Sequence, residues 1–354
     1  MQSYEKQLAE IVARDNLWKC LSGSTILLSG ATGMLGKCLV DAVMLYNQRM
    51  TSSFEAAIKI IAISRNPQTA RERFAEYMES PYLQYVSCDV NTRIPECGAV
   101  DYVIHAASNT HPKQYASDPI GTICANVFGT KNLLDYAVAH QAKRFCFVSS
   151  VEIYGENRGD VETFPESYLG YIDCNTLRAG YPESKRLGET LCNAYAQTFG
   201  LDFVIPRLSR VYGPTMLPTD SKAISQFIKK AAAGENIVLK SEGNQKYSYT
   251  YVTDAAAGIL HTLAFGEAGA AYNVSDKNSD ITLKELAGIL AGIARKTVVF
   301  ELPEESERRG YSTATKAMLD AGRLEALGWS AKVQMQEGLA CTVAYIKEFV
   351  KKLT

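Results

Sequence analysis

The chain has 354 residues, 47% hydrophobic and 21% charged, with a formal net charge of -1. That balance suits one large globular domain or two coupled ones and excludes the basic surface of a nucleic-acid binder or an anionic-membrane partner. No apolar run reaches the roughly 20 residues of a membrane span, and four separated histidines give no metal-site spacing.

Residues 1–19 are polar and charged, unlike a signal peptide. The nine cysteines are dispersed without a CxxC pair, which predicts reduced thiols and a cytoplasmic setting. Residues 3–18 carry Tyr4, Leu8, Ile11, Val12 and Trp18 at near-helical spacing. They predict one amphipathic helix laid on the domain ahead of the first strand.

Thr25-Ile26-Leu27-Leu28-Ser29 reads as a short apolar strand. It runs into Gly30-Ala31-Thr32-Gly33-Met34-Leu35-Gly36 and a helix through Leu39, Val43 and Leu45. Strand, glycine turn and helix form the context of a dinucleotide fingerprint. The glycines let the backbone turn tightly and approach a pyrophosphate, while the helix N-terminus offers N–H groups and a positive dipole. Gly30, Thr32, Gly33, Met34, Leu35 and Gly36 are therefore the candidate cradle.

A second strand over 58–63 ends at Ser64-Arg65-Asn66. An acid there would bind the ribose hydroxyls of NAD and repel a 2′-phosphate. Ser64 and Arg65 can instead hold a phosphate, the guanidinium through charge-assisted bonds, so the cofactor expectation is NAD(P), leaning to NADP. Strands follow over 83–88, ending at Asp89 and Val90, and over 100–105, continuing into Ala106-Ala107-Ser108-Asn109-Thr110. Small residues there leave room for a cofactor above the sheet edge. A helix over 120–139 carries Asn126, and a fifth strand covers 144–149. The alternation predicts an α/β fold with a doubly wound parallel sheet whose ligands sit at the carboxyl ends of the strands.

At the end of the fifth strand stands Ser149-Ser150-Val151-Glu152-Ile153-Tyr154-Gly155. The Ser150 hydroxyl can bond a reacting hydroxyl, and Glu152 occupies a position where general acid–base groups occur. Tyr181-Pro182-Glu183-Ser184-Lys185 opens a long helical pattern. Residues four apart share a helix face, so the Tyr181 phenol and the Lys185 ammonium point the same way. A free phenol ionises near pH ~10, and a nearby cation favours the phenolate. Bringing it to neutrality takes roughly 4 kcal/mol of differential stabilisation, after which it can take a proton from an alcohol.

Past residue 254 the pattern predicts a helix to 265, a strand at Tyr272-Asn273-Val274, a helix over 283–293 and a final helix beyond Leu327-Gly328-Trp329. The polar run 302–313, with Glu304, Glu305, Glu307, Arg308 and Arg309, is expected at the surface or the rim of the site.

The glycine triplet, His105-Ala106-Ala107, Asn126, Ser150 and the Tyr181/Lys185 pair occur in the order of an extended short-chain dehydrogenase/reductase. Pro206-Arg207-Leu208-Ser209-Arg210-Val211-Tyr212-Gly213-Pro214 and Tyr251-Val252-Thr253-Asp254 also resemble that family. Within it the chain is most similar to UDP-glucuronate decarboxylases. Their active-site loop resembles Glu166-Ser167-Tyr168-Leu169-Gly170-Tyr171-Ile172-Asp173, and Arg178, Ser150-x-Glu152 and 185–192 match as well.

The resemblance implies a Rossmann-type domain and a smaller α/β domain that closes over a nucleotide-sugar. The expected division is a helical extension at 1–23, a dinucleotide-binding domain at 24–206 and a mainly substrate-binding domain at 207–354. Segments near 221–233 and 250–266 are expected to return to the first domain. It further implies cofactor contacts from Ser64, Arg65, Asp89, Val90, Ala106, Ala107, Ser108, Asn126, Pro206 and Arg207 beside the glycine cradle. Substrate contacts are implied from Thr110, Glu152, Arg178, Arg210 and Tyr247, and a homodimer through the helices carrying Asn126 and Tyr181.

Three positions depart from the family's pattern. Val151 stands where sugar 4,6-dehydratases carry an Asp, Arg210 replaces an Asn, and Tyr247 replaces an arginine seven residues before Asp254.

The reading is a nucleotide-sugar enzyme that oxidises carbon 4. Tyr181 takes the hydroxyl proton, Lys185 lowers the Tyr181 pKa and binds the nicotinamide ribose, Ser150 positions the hydroxyl and Glu152 handles a second proton. A hexuronate substrate would become a β-keto acid and lose carbon dioxide. The alternatives are a 4-epimerase, for which Glu152 would be surplus, a 4,6-dehydratase, an NADP-dependent ketoreductase suited by Ser64-Arg65, and a non-catalytic NADP-binding sensor, against which the Tyr/Lys pair argues.

Overall fold

A computed structural model describes residues 3–50, 56–110, 117–301 and 314–353. The polar run 302–313 lies outside the described residues. The large sheet is parallel and built from β1 (Thr25–Ser29), β2 (Lys59–Ser64), β3 (Leu83–Ser87), β4 (Tyr102–His105), β5 (Arg144–Phe147), β6 (Ser149–Ser150), β7 (Phe203–Leu208) and a later strand, Ala270–Val274. From that late strand the order runs β7, β5, β4, β1, β2, β3, with β6 beside β7. The order reverses between β1 and β4, the point where a doubly wound sheet opens a crevice.

Side chains alternate across a strand, and β1 shows the result. Ile26 and Leu28 join one core cluster while Leu27 joins the other. On the first face lie α1 (Tyr4–Val12), α2 (Asp15–Leu21), α3 (Met34–Arg49) and the helix Val252–Phe265. The other face is covered by α5 (Pro119–Ala139) and α6 (Gly180–Phe199), which pack on each other. A short helix, α4 (Pro67–Arg73), follows β2. Asp118 caps α5, accepting from the Gly121 N–H with Pro119 at the first turn, and Gly200 ends α6 in a left-handed conformation.

The N-terminal segment differs from the single helix expected over 3–18. The chain leaves helical geometry at Arg14 (ψ 71°) and restarts as α2. The Trp18 indole donates back to the Ile11 carbonyl at 3.0 Å and stacks on Tyr46, so the break lets both short helices lie flat on the domain. Tyr4 donates to Asp41 at 2.9 Å, and Gln7 accepts from the Tyr251 hydroxyl at 2.7 Å.

Two segments lie elsewhere than expected. Helix α7 (Ala223–Ala233), expected to return to the large sheet, packs on the helices Leu283–Ala294 and Met335–Leu353. Its apolar stripe of Ile224, Phe227, Ile228 and Ala231 needs an apolar partner, and those helices supply it. Conversely Ala270–Val274, placed by sequence in the second domain, pairs with β7 in the large sheet. Helix α8 (Val252–Phe265) does pack on that sheet.

After β8 (Arg210–Tyr212) and β9 (Ile237–Leu239), a second, smaller sheet is centred on β10 (Lys246–Tyr251), which pairs in parallel with β8. It lies next in sequence to β7, so it stands over the carboxyl ends of the large sheet. Among the described residues no helix is long and apolar enough to cross a membrane.

Candidate active site

The glycine turn fits a dinucleotide on two grounds. Gly30 has φ +70°, and a Cβ there would lie 2.7 Å from the backbone of Ala106 and Ala107. The end of β1 thus closes against the end of β4 without side chains between them. A Cβ at Gly36 would lie 2.3 Å from the Gly30 carbonyl, so the first turn of α3 sits directly on the loop. Gly33 is the N-cap of α3, and Met34 and Leu35 open its first turn. Early N–H groups of a helix have no intrahelical acceptor. Thr32 lies half-buried in the same turn. Two residues not anticipated from sequence hold this loop in place. Arg73 donates to the Thr215 carbonyl at 2.7 Å and lies 3.5 Å from the Gly33 carbonyl, and Thr215 donates to the Met34 carbonyl at 2.8 Å.

At the end of β2, Ser64 is buried, with its hydroxyl 3.3 Å from the Tyr85 hydroxyl, whereas Arg65 is exposed. Asp89 accepts the Asn91 N–H at 3.0 Å, shaping its own turn, and Val90 packs under Gly129. Thr110 is half-buried at the described end of the loop after β4.

The catalytic candidates converge. Ser108 donates to Asn126 at 2.7 Å, Asn126 donates to Ser184 at 2.9 Å, and Ser184 donates to the Tyr181 carbonyl at 2.9 Å. This chain fixes the start of α6 against α5 and β4. Ser150 caps the short turn Val151–Tyr154, accepting from the Glu152 N–H at 3.3 Å. Burial raises the Tyr181 phenol to about 12. The Ser150 hydrogen bond, the Arg178 charge and the Ser108 hydrogen bond pull it down, while the Glu152 charge adds to the rise.

Lys185 lies one turn beyond Tyr181 on the buried side of α6. Its ammonium donates to the Val148 carbonyl at 2.8 Å and lies 4.7 Å from the centre of the Phe147 ring. Burial lowers its own pKa to about 8. The side chain thus reaches the strand end that leads into Ser150.

Glu152 accepts from Arg178 at 2.6 Å and lies 3.6 Å from Arg210. Arg210 in turn covers the Tyr247 ring, its guanidinium carbon 3.7 Å from the ring centre. The substrate-side candidates Glu152, Arg178, Arg210 and Tyr247 therefore form one cluster next to Ser150 and Tyr181.

Arg207 is committed elsewhere. It forms two hydrogen bonds to Glu189, at 2.7 and 3.1 Å, and donates to the Tyr154 hydroxyl and the Glu166 carbonyl. It braces α6 against the sheet, with Ser149 also donating to Glu189 at 2.6 Å. Glu189 stands one turn beyond Lys185 on the same helix face, a signal the sequence reading passed over. Pro206 sits within the sheet opposite Tyr272. Asp254 accepts the Lys332 and Val333 N–H groups, so it fastens the C-terminal segment rather than lining the site. Among the described residues no cluster of His, Cys, Asp and Glu is suited to a metal.

Residues 26–275 match the NAD dependent epimerase/dehydratase family. UDP-glucuronic acid decarboxylase 5 of Arabidopsis thaliana is 29% identical over 323 residues, covering 90% of this chain and 88% of that protein. A dTDP-glucose 4,6-dehydratase from Streptomyces venezuelae, solved with NAD bound, aligns with a TM-score of 0.76 at 26% identity, over 92% of this chain and 97% of the other. A UDP-glucuronic acid 4-epimerase from Bacillus cereus, solved with UDP-glucuronic acid and NAD, shares the fold with a TM-score of 0.75 at 21% identity, over 92% and 99% of the two chains.

Proposed function

The chain belongs to the NAD dependent epimerase/dehydratase family, and on that premise we propose that it is an NAD(P)-dependent nucleotide-sugar enzyme that oxidises carbon 4 of a UDP-hexuronate and releases its carboxylate as carbon dioxide. The observation that carries this reading is the convergence of Ser150, Tyr181, Arg178 and Glu152 at the carboxyl ends of the sheet, beside the glycine turn. Similarity to the UDP-glucuronic acid decarboxylases along most of the chain supports it. Val151 is buried and apolar where a dehydratase would place an acid.

The glycine turn and the first turn of α3 would hold the pyrophosphate, with Lys185 on the nicotinamide ribose. A bound nicotinamide accepts a hydride and gives it back. Tyr181 takes the carbon-4 hydroxyl proton, and Ser150 holds that hydroxyl in line with the phenol. The phenol is raised to about 12 by burial, so it works as a base when further positive charge is nearby. Oxidation at carbon 4 makes the sugar carboxylate a β-keto acid, whose carbon–carbon bond breaks with loss of carbon dioxide. Glu152, fixed by Arg178, is stationed for the proton delivered to carbon 5, and Tyr181 returns its proton to the carbon-4 oxygen.

Three finer features belong to the proposal. The exposed Arg65 supports a preference for NADP over NAD. Exposed Ile120, Ile123 and Phe128 on α5 and Leu187 on α6 support a homodimer through these helices. Free thiols at all nine cysteines accord with a reducing compartment, the cytoplasm.

Magnetic-resonance analysis of the product from UDP-glucuronate tests the reading. A UDP-pentose is expected. A UDP-galacturonate would make the enzyme an epimerase instead, and a net yield of oxidised or reduced cofactor would make it a simple dehydrogenase or reductase.

A further inference from the structure

Two of the positions where this chain departs from its family, Arg210 and Tyr247, touch each other. They are far apart in sequence and meet because β8 pairs with β10, with Tyr249 opposite Arg210. Tyr247 and Tyr249 share a face of β10, and Arg210 extends along it until its guanidinium carbon lies 3.7 Å from the centre of the Tyr247 ring. The tyrosine is fixed in turn, its hydroxyl donating to the Ala314 carbonyl at 2.8 Å. An aromatic face under a guanidinium holds a cation in place without neutralising it.

Distances separate the roles of the two arginines beside Glu152. Arg178 makes a true charge-assisted hydrogen bond at 2.6 Å. Arg210 lies 3.6 Å from the other carboxylate oxygen, beyond hydrogen-bond length. Among the described residues this is the one carboxylate Arg210 approaches. Glu152 is thus hydrogen-bonded by Arg178, and Arg210 adds a second positive charge to the cluster. A guanidinium has five N–H donors, and neither this contact nor ring stacking uses them all. The Arg210 side chain remains 19% exposed, at a site that already gathers Ser150 and Tyr181 through Glu152.

We propose that Arg210, held on Tyr247, is the specificity-determining residue that recognises the carboxylate of the reacting sugar. This inference rests on the hexuronate substrate proposed above. A carboxylate at carbon 5 lies beside the carbon-4 hydroxyl that Ser150 and Tyr181 address, so a cation in this cluster is within reach of it. Planar guanidinium and planar carboxylate pair through two parallel hydrogen bonds.

The test is calorimetric binding of UDP-glucuronate, UDP-glucose and UDP to the NAD-loaded enzyme and its variants. Arg210→Gln is expected to bind UDP-glucuronate roughly 10- to 100-fold more weakly while the other two ligands change less than about threefold. Tyr247→Leu is expected to show a smaller loss of the same selectivity. Equal weakening of all three ligands in Arg210→Gln, no weakening of UDP-glucuronate, or a wild type that binds both sugars alike would overturn the proposal. Unchanged selectivity in Tyr247→Leu would overturn the pairing. If Arg210→Gln fails to retain NAD, Arg210→Lys carries the test: a loss selective for the uronate upholds the fork, and a parallel loss sinks it. Carbon dioxide release by the wild type is scored separately. Its absence with preserved uronate selectivity removes the decarboxylase reading and leaves the anion site standing.

Discussion

The Lys185 ammonium donates to the Val148 carbonyl at 2.8 Å, tying the helix that carries Tyr181 to the strand end that carries Ser150. Among the described residues no carboxylate bonds this buried charge, and burial lowers its pKa to about 8. The pH consequence follows from proton counts. Below about pH 8 the ammonium is charged whether the chain is folded or not, and the folded state carries the full cost of burying it. Between there and the ordinary value near ~10.4 the unfolded chain binds the proton and the folded chain does not, so stability rises with pH. Lys185→Met should therefore be more stable than wild type at neutral pH, by up to about 3 kcal/mol, with the gap closing toward pH ~10. Denaturant titrations without added cofactor at several pH values measure this, and a gap independent of pH would count against it. The same variant should bind the dinucleotide more weakly.

Tyr181→Phe should fold and retain the cofactor but lose about 10²- to 10⁴-fold in turnover, the usual contribution of a general acid–base group. Phenylalanine keeps the packing of a side chain that is 6% exposed and removes only the hydroxyl. Single-turnover kinetics on cofactor-loaded protein checks this. Retention of more than about a tenth of the wild-type rate would take Tyr181 out of the mechanism.

The sequence made β1, the glycine turn, α5 and α6 readable because their signals are local: an apolar run, a glycine spacing, a helical period. It made the candidate residues Ser150 and Tyr181 readable because each stands at the end or start of such an element. What local patterns do not encode is pairing. The contact of Arg210 with Tyr247 exists only through the β8–β10 register. The destination of α7 is set by which apolar face lies opposite it, and the direction of the Lys185 side chain by the carbonyl at the end of β5. The break at Arg14 was hidden for the same reason. The apolar period continues through it, while the Trp18 bond to Ile11 and the stack on Tyr46 are tertiary.

Arg65→Ala tests cofactor preference. If the exposed guanidinium meets a 2′-phosphate, wild type should favour NADP over NAD by about tenfold, and the variant should lose that preference while keeping its NAD affinity. Calorimetry with both dinucleotides gives the answer. Equal affinities in wild type, or a variant that behaves like wild type, would end the phosphate-binding role.

Phe128→Glu should convert a dimer into a monomer. Phe128 is 52% exposed on α5, the helix that also exposes Ile120 and Ile123, and a carboxylate there cannot be buried against a symmetry mate without a partner charge. Light scattering at micromolar concentration should give twice the chain mass for wild type and the chain mass for the variant. A monomeric wild type would remove the proposed interface.

The proposed reaction is oxidation at carbon 4 followed by loss of the neighbouring carboxylate, with the hydride returned. It is tested most directly by following carbon dioxide from carboxyl-labelled UDP-glucuronate while recording the absorbance of the reduced nicotinamide in the same sample. Label should be released in step with substrate consumed, with a catalytic amount of cofactor sufficing and no lasting rise in reduced cofactor. Retained label with consumed substrate, or reduced cofactor accumulating mole for mole, would contradict it.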